Sequence, residues 1–143
     1  MKKIKLNITL LLIAFILFSC GPTNFIKTSD VTWSNIELRD NITFDQAWNE
    51  TIDVIAGRFE MEMISKDGAY ARTGWIYTFN TKGSYTKNYR NRVIVKFSPD
   101  RTKVQIKAEA QKGSNGNWVN GFDSNLLKAI KGDIMGVVGR TTR

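Results

Sequence analysis

Histidine is absent from the 143 residues, and cysteine occurs once. Without an imidazole there is no Ser-His-Asp triad, no histidine zinc site and no imidazole acid or base. One thiol makes neither an internal disulfide nor a cysteine metal cluster. Other signatures are missing as well. Asp67-Gly68 stands alone, without the D-x-[DN]-x-[DN]-G series of a calcium loop. Gly113-Ser114-Asn115-Gly116 leads into no Lys-Ser or Lys-Thr pair, so it is not a phosphate-binding loop. The serines have no histidine to activate them, and no S-x-x-K occurs with its companion motifs, which leaves only a bare Ser–Lys dyad open. Glu60 and Glu62 alternate along one strand, roughly 7 Å apart by strand rise. Glycosidase carboxylates flank their substrate from different elements, so this pair reads as a solvated face. The sequence predicts no catalytic residue, no metal ligand and no cofactor.

The longest apolar run is short. Lys2, Lys3 and Lys5 precede Ile8–Phe18, eleven residues whose only polar member is Thr9. A comfortable membrane-spanning helix needs about 20 residues, so charge followed by this run reads as an export signal. The run ends Leu17-Phe18-Ser19-Cys20-Gly21, with the single cysteine at its boundary. This stretch resembles the lipobox of bacterial lipoproteins, with Leu17 at −3, Ser19 at −1 and Cys20 at +1. Phe18 at −2 is bulkier than the small residue usual there. The resemblance implies cleavage before Cys20, diacylation of its thiol and acylation of the new amino terminus. Two or three acyl chains are what stable anchoring requires. Gly21 is not the Asp of inner-membrane retention, and no acidic run follows Cys20. The same resemblance therefore places the protein in the inner leaflet of the outer membrane, facing the periplasm. In this it is similar to the small envelope lipoproteins of Gram-negative bacteria.

Taking residues 1–19 as a signal peptide removes three lysines and lowers the net charge from +8 to +5, over a mature chain of 124 residues. Residues 20–30 read as the lipidated cysteine and a short tether, reaching roughly 33 Å when extended. Residues 31–143 read as one domain, long enough for a core without disulfides. A strand with a bulge is expected over 31–38. Thr43 and Gln46 have capping-box spacing, Ile42 is placed to staple onto Ala47, and Gly57 supplies a stop, so a helix is expected between them. Strands follow from period-two alternation: Phe59, Met61 and Met63; Ala71 to Phe79; Val93, Val95 and Phe97; Val104, Ile106, Ala108 and Ala110. Turns are expected over Asn80–Ser84 and at Ser98-Pro99-Asp100-Arg101, and a loop over Lys112–Asn117. Asp123 reads as the N-cap of a last helix running to about Val138, with Leu126, Leu127, Ile130, Ile134 and Val138 as its apolar stripe. Gly132 and Gly136 weaken that helix by up to about 1 kcal/mol each. They are expected to permit close packing on the sheet.

The order β-α-β-β-β-β-α predicts an α+β fold, an antiparallel sheet with both helices packed on its one apolar face. That order resembles the helix-grip domains found in a lipoprotein component of the outer-membrane β-barrel assembly machine. The resemblance covers residues 31–139 as topology and carries no residue motif. Trp48, Trp75 and Leu126, in the apolar phase of their elements, are expected to be buried.

The strongest remaining signal is basic. From Lys82 to Lys112 there are nine Lys or Arg against Asp100 and Glu109. Arg92, Lys96, Lys103 and Lys107 are expected outward on neighbouring strands, a patch suited to anionic headgroups or acidic glycan. Export argues against nucleic acid. Tyr85, Tyr89 and Trp118, in or beside loops, are candidates for a binding rim. Two functions follow. One is a non-enzymatic envelope lipoprotein that docks another envelope protein or serves envelope assembly. The alternative is a carrier of a small apolar ligand or lipid, held in a cavity between the sheet and the last helix.

Overall fold

The computed structural model describes residues 24–79, 85–114 and 116–140. The signal segment, Cys20 and the Asn80–Ser84 turn lie outside the described residues, as do the side chains of Tyr85 and Lys87. In chain order the elements are β1 (Phe25–Lys27), β2 (Ser34–Glu37), α1 (Phe44–Ala56), β3 (Met61–Ser65), β4 (Tyr70–Thr73) and β5 (Ile76–Phe79). β6 (Tyr85–Phe97), β7 (Lys103–Ser114), β8 (Asn117–Asp123) and α2 (Ser124–Val138) complete them.

The cleanest alternation in the chain makes the centre of the sheet. β6 and β7 form a long antiparallel hairpin in which Val93 faces Ala108, Val95 faces Ile106 and Phe97 faces Val104. Each outer edge of this hairpin is shared by two short strands. β2 and β8 pair successive parts of β7, while β4 and β5 pair successive parts of β6. β3 closes one side beyond β4, and β1 closes the other beyond β8. All eight strands are antiparallel to their neighbours, so the fold is α+β as the sequence predicts.

Both helices lie on the inner face of this sheet. α1 starts where the sequence says, with Thr43 Oγ1 accepting from Gln46 N at 3.2 Å and Thr43 N donating to Gln46 Oε1 at 3.3 Å. It buries Ala47, Trp48, Thr51 and Ile55. The rings of Phe44 and Trp48 meet Phe97 at centroid distances of 5.2 and 5.8 Å. α2 is capped by Asp123 and buries Ile130, Ile134 and Val138 completely. These three, with Val93, Val95, Val104 and Ile106, fill the space between helix and sheet. Leu126 is only half-buried, packed at the margin of that core.

Several expectations change. Phe25–Lys27 is not tether but a strand, paired with Gly121–Asp123. The loop expected over Lys112–Asn117 is largely strand, since β7 runs to Ser114 and a further strand, β8, starts at Asn117 and ends at the cap residue Asp123. The strand expected over 71–79 is broken at Gly74-Trp75, where Gly74 N turns to Glu60 O and Thr73 Oγ1 accepts the Val93 amide at 3.0 Å. The break frees Trp75 from the inward phase of Ala71 and Thr73 and puts it on the opposite face. In β3, a register shift between Met61 and Met63 sets Met63 opposite Arg72 on the outer face, 48% exposed. One extra residue reverses the side of everything after it. Gly132 and Gly136 are exposed on the solvent side of α2, and a Cβ at either would meet nothing within 4 Å. They neither tighten the helix onto the sheet nor leave room beneath it.

Candidate functional site

Neither helix covers the outer face of the sheet, and this face collects the unusual side chains. β6 contributes Arg90, Arg92, Ile94 and Lys96, and β7 contributes Gln105, Lys107, Glu109 and Gln111. Cross-strand register sets Arg92 opposite Glu109, Ile94 opposite Lys107 and Lys96 opposite Gln105. Like charges directly opposite would repel; the register avoids this by offsetting them.

Three tryptophans then settle among the cations, two of them (Trp33 and Trp75) from positions outside any strand. Trp33, just before β2, holds the ammonium groups of Lys96 and Lys107 at 4.4 and 4.7 Å from its ring centroid. Trp75, in the break between β4 and β5, holds the guanidinium groups of Arg92 and Arg90 at 4.3 and 4.7 Å. Trp118, on β8, holds Arg90 at 4.3 Å, and Tyr77 lies 6.3 Å from the Trp118 ring. Arg90 also donates to Gln111 Oε1 at 2.8 Å and to Tyr77 Oη at 3.4 Å. Each such cation–ring contact contributes about 0.5–1 kcal/mol at an exposed site. The lattice of rings and cations therefore explains how so basic a face is tolerated.

The four cations predicted from sequence share this face but differ in state. Arg92 is closed by Glu109 at 2.7 Å. Lys103 is closed by Glu37 at 2.9 Å, and that carboxylate holds its ammonium above the ordinary lysine range. Lys96 and Lys107 rest on Trp33, and among the described residues no carboxylate pairs with them or with Arg90. Arg90, Trp33 and Trp75 are the members that the stripe of four leaves out. Beside Trp75 the face is concave. A groove of about 300 Å³ opens there, bounded by Ser29–Val31 on one side and by β7 and β8 on the other.

Of the aromatic rim candidates, Trp118 belongs to this face. Tyr89 does not: it points inward, and its hydroxyl donates to Asp123 Oδ2 at 2.6 Å. Burial, then the hydrogen bond and charge of Asp123, push the Tyr89 phenol well above its ordinary value. Asn91 Nδ2 donates to the same oxygen at 3.2 Å, while Asp123 Oδ1 caps α2 through Leu126 N at 2.9 Å. This buried set ties β6, β8 and α2 together; it presents no free base or nucleophile. Glu62 pairs with Arg72 at 2.9 Å, and Glu60 sits beside it on the same segment rather than across a cleft. No family model matches this sequence, and no curated protein is significantly similar to it.

Proposed function

We propose that the chain is a lipid-anchored envelope protein, held through Cys20 in the inner leaflet of the outer membrane. Its folded domain docks a negatively charged envelope component on the bare face of the sheet and catalyses no reaction. The observation that carries this reading is the composition of that face. Trp33, Trp75, Trp118, Tyr77, Arg90 and Arg92 lie together on the face that neither helix covers, each partly exposed. Tryptophan, tyrosine and arginine are the residues that dominate binding hot spots. Arg90, Lys96 and Lys107 add positive charge that no carboxylate of the described residues neutralises, which suits an anionic partner. A carrier of an apolar ligand draws less support, because Ile130, Ile134 and Val138 fill the space under α2.

The test uses the full chain in its own envelope, with a single added thiol. Gln105→Cys reports on the outer face, and Lys128→Cys reports on the solvent side of α2. With purified protein in detergent both should react with a maleimide. In the envelope Gln105→Cys should be protected several-fold and Lys128→Cys should not. Protection should vanish in 1 M salt, where the screening length falls to about 3 Å. Equal reactivity of both thiols in envelope and detergent would contradict the docking reading.

A further inference from the structure

The groove beside Trp75 has a chemistry of its own. Arg92, Lys107, Glu109, Gln111 and Asn120 line it, so its walls are mostly polar, with Trp75, Val31 and Ala110 as their apolar members. An apolar ligand would strip water from these groups without replacing the hydrogen bonds, at a cost of kilocalories per group. A ligand dense in hydroxyl groups would not. Each amide offers two donors and one acceptor, and the arginine fork offers planar paired donors. Trp75 adds a flat ring that lines the groove where Arg90 and Arg92 do not cover it. The C–H groups of a sugar ring pack against such an apolar surface while its hydroxyl groups meet the polar wall. We infer that this groove binds a short stretch of acidic polysaccharide, one sugar against Trp75 and its anionic group on Lys107.

The charge pattern decides between acidic and neutral sugar. Arg92 and Glu109 satisfy each other at 2.7 Å, which leaves Lys107 without an ion-pair partner and Asp30 as the one other charge of the lining. Arg90 and Lys96 add two further cations along the same face, and these tip the balance to positive. Trp33 sits over the Lys96 end of β6 and Trp75 over the Arg90–Arg92 end. Four residues of strand separate them, about 13 Å, so a ligand longer than one ring reaches both. The volume, about 300 Å³, is at the small end of ligand sites and fits part of a chain rather than a large compact molecule. This inference rests on the docking reading and names its partner.

The test titrates the mature chain calorimetrically with a hexamer of galacturonic acid, with the same hexamer fully methyl-esterified, and with phosphatidylcholine vesicles with or without phosphatidylglycerol. The acidic hexamer should bind, and esterification should weaken binding about fivefold, the equivalent of one screened ion pair. Lys107→Gln should lose about fivefold against the acid and nothing against the ester. Trp75→Leu should lose about tenfold against both, and Asn120→Ala supplies a groove variant should Trp75→Leu fail to fold. No binding of the acidic hexamer at millimolar concentration, or equal affinity across these variants, would overturn the glycan. So would binding to anionic vesicles alone, unaffected by Trp75→Leu. If the hexamer fails while Gln105→Cys stays protected in the envelope, the glycan falls and the docking face stands. If the hexamer binds and that protection is absent, the docking reading falls instead.

Discussion

Replacing Asp123 by alanine removes three hydrogen bonds from a residue only 6% exposed. Losing the N-cap of α2 costs about 1 kcal/mol. The Tyr89 hydroxyl and the Asn91 amide are then left as donors without an acceptor in a buried place, at about 1–3 kcal/mol each. The expected total is about 3–7 kcal/mol, against a typical domain stability of about 5–15 kcal/mol. Urea unfolding of soluble chain 21–143, followed by tryptophan fluorescence, measures it. Tyr89→Phe removes one of the two orphaned donors, so Asp123→Ala should cost about 1–3 kcal/mol less in that background. A loss under about 1 kcal/mol for Asp123→Ala, or strict additivity with Tyr89→Phe, would refute this account of how α2 is tied to the sheet.

Further outcomes follow from the same packing. Thr51 Oγ1 is buried without a partner among the described residues, so Thr51→Val should stabilise by about 1 kcal/mol. Thr73→Val strands the Val93 amide at the strand break and should destabilise by about 1–3 kcal/mol, a contrast that urea midpoints resolve. Trp48→Ala should cost about 3–5 kcal/mol, whereas Trp75→Ala removes two partly buried cation–ring contacts and should cost about 1–2 kcal/mol. The Tyr89 phenol titrates higher in the folded chain than the usual value of about 10. Its contribution is therefore complete below about pH 10 and lost as pH rises toward the folded value. The stability difference between wild type and Tyr89→Phe should accordingly hold up to about pH 10 and shrink from there to about pH 11.5.

The parts of the fold that alternate or cap were legible. Thr43 with Gln46 and Asp123 with Leu126 use local side-chain chemistry that spacing alone reveals. The β6–β7 hairpin has a buried inner face, which forces strict period two. β8 was not legible because its pattern is not hydrophobic: Val119 is 41% exposed, and Gly121 is small because a Cβ there would meet Ile26 O at 2.3 Å. Pairing to β7 makes it a strand, and partners are invisible in a local window. The outward direction of Arg92, Lys96, Lys103 and Lys107 followed from the phase of their valine and isoleucine neighbours. The tryptophans that organise those cations did not, because Trp33 and Trp75 sit just outside strands, where no alternation assigns a face.

The functional account rests on cleavage before Cys20 and acylation there. The most direct measurement is the intact mass of the mature chain extracted from cells in detergent, with fragmentation of its amino-terminal peptide. The account predicts a chain that begins at Cys20, with a diacylglyceryl group on its sulfur and a further acyl chain on its amino group. An unmodified amino terminus at any other residue would contradict it.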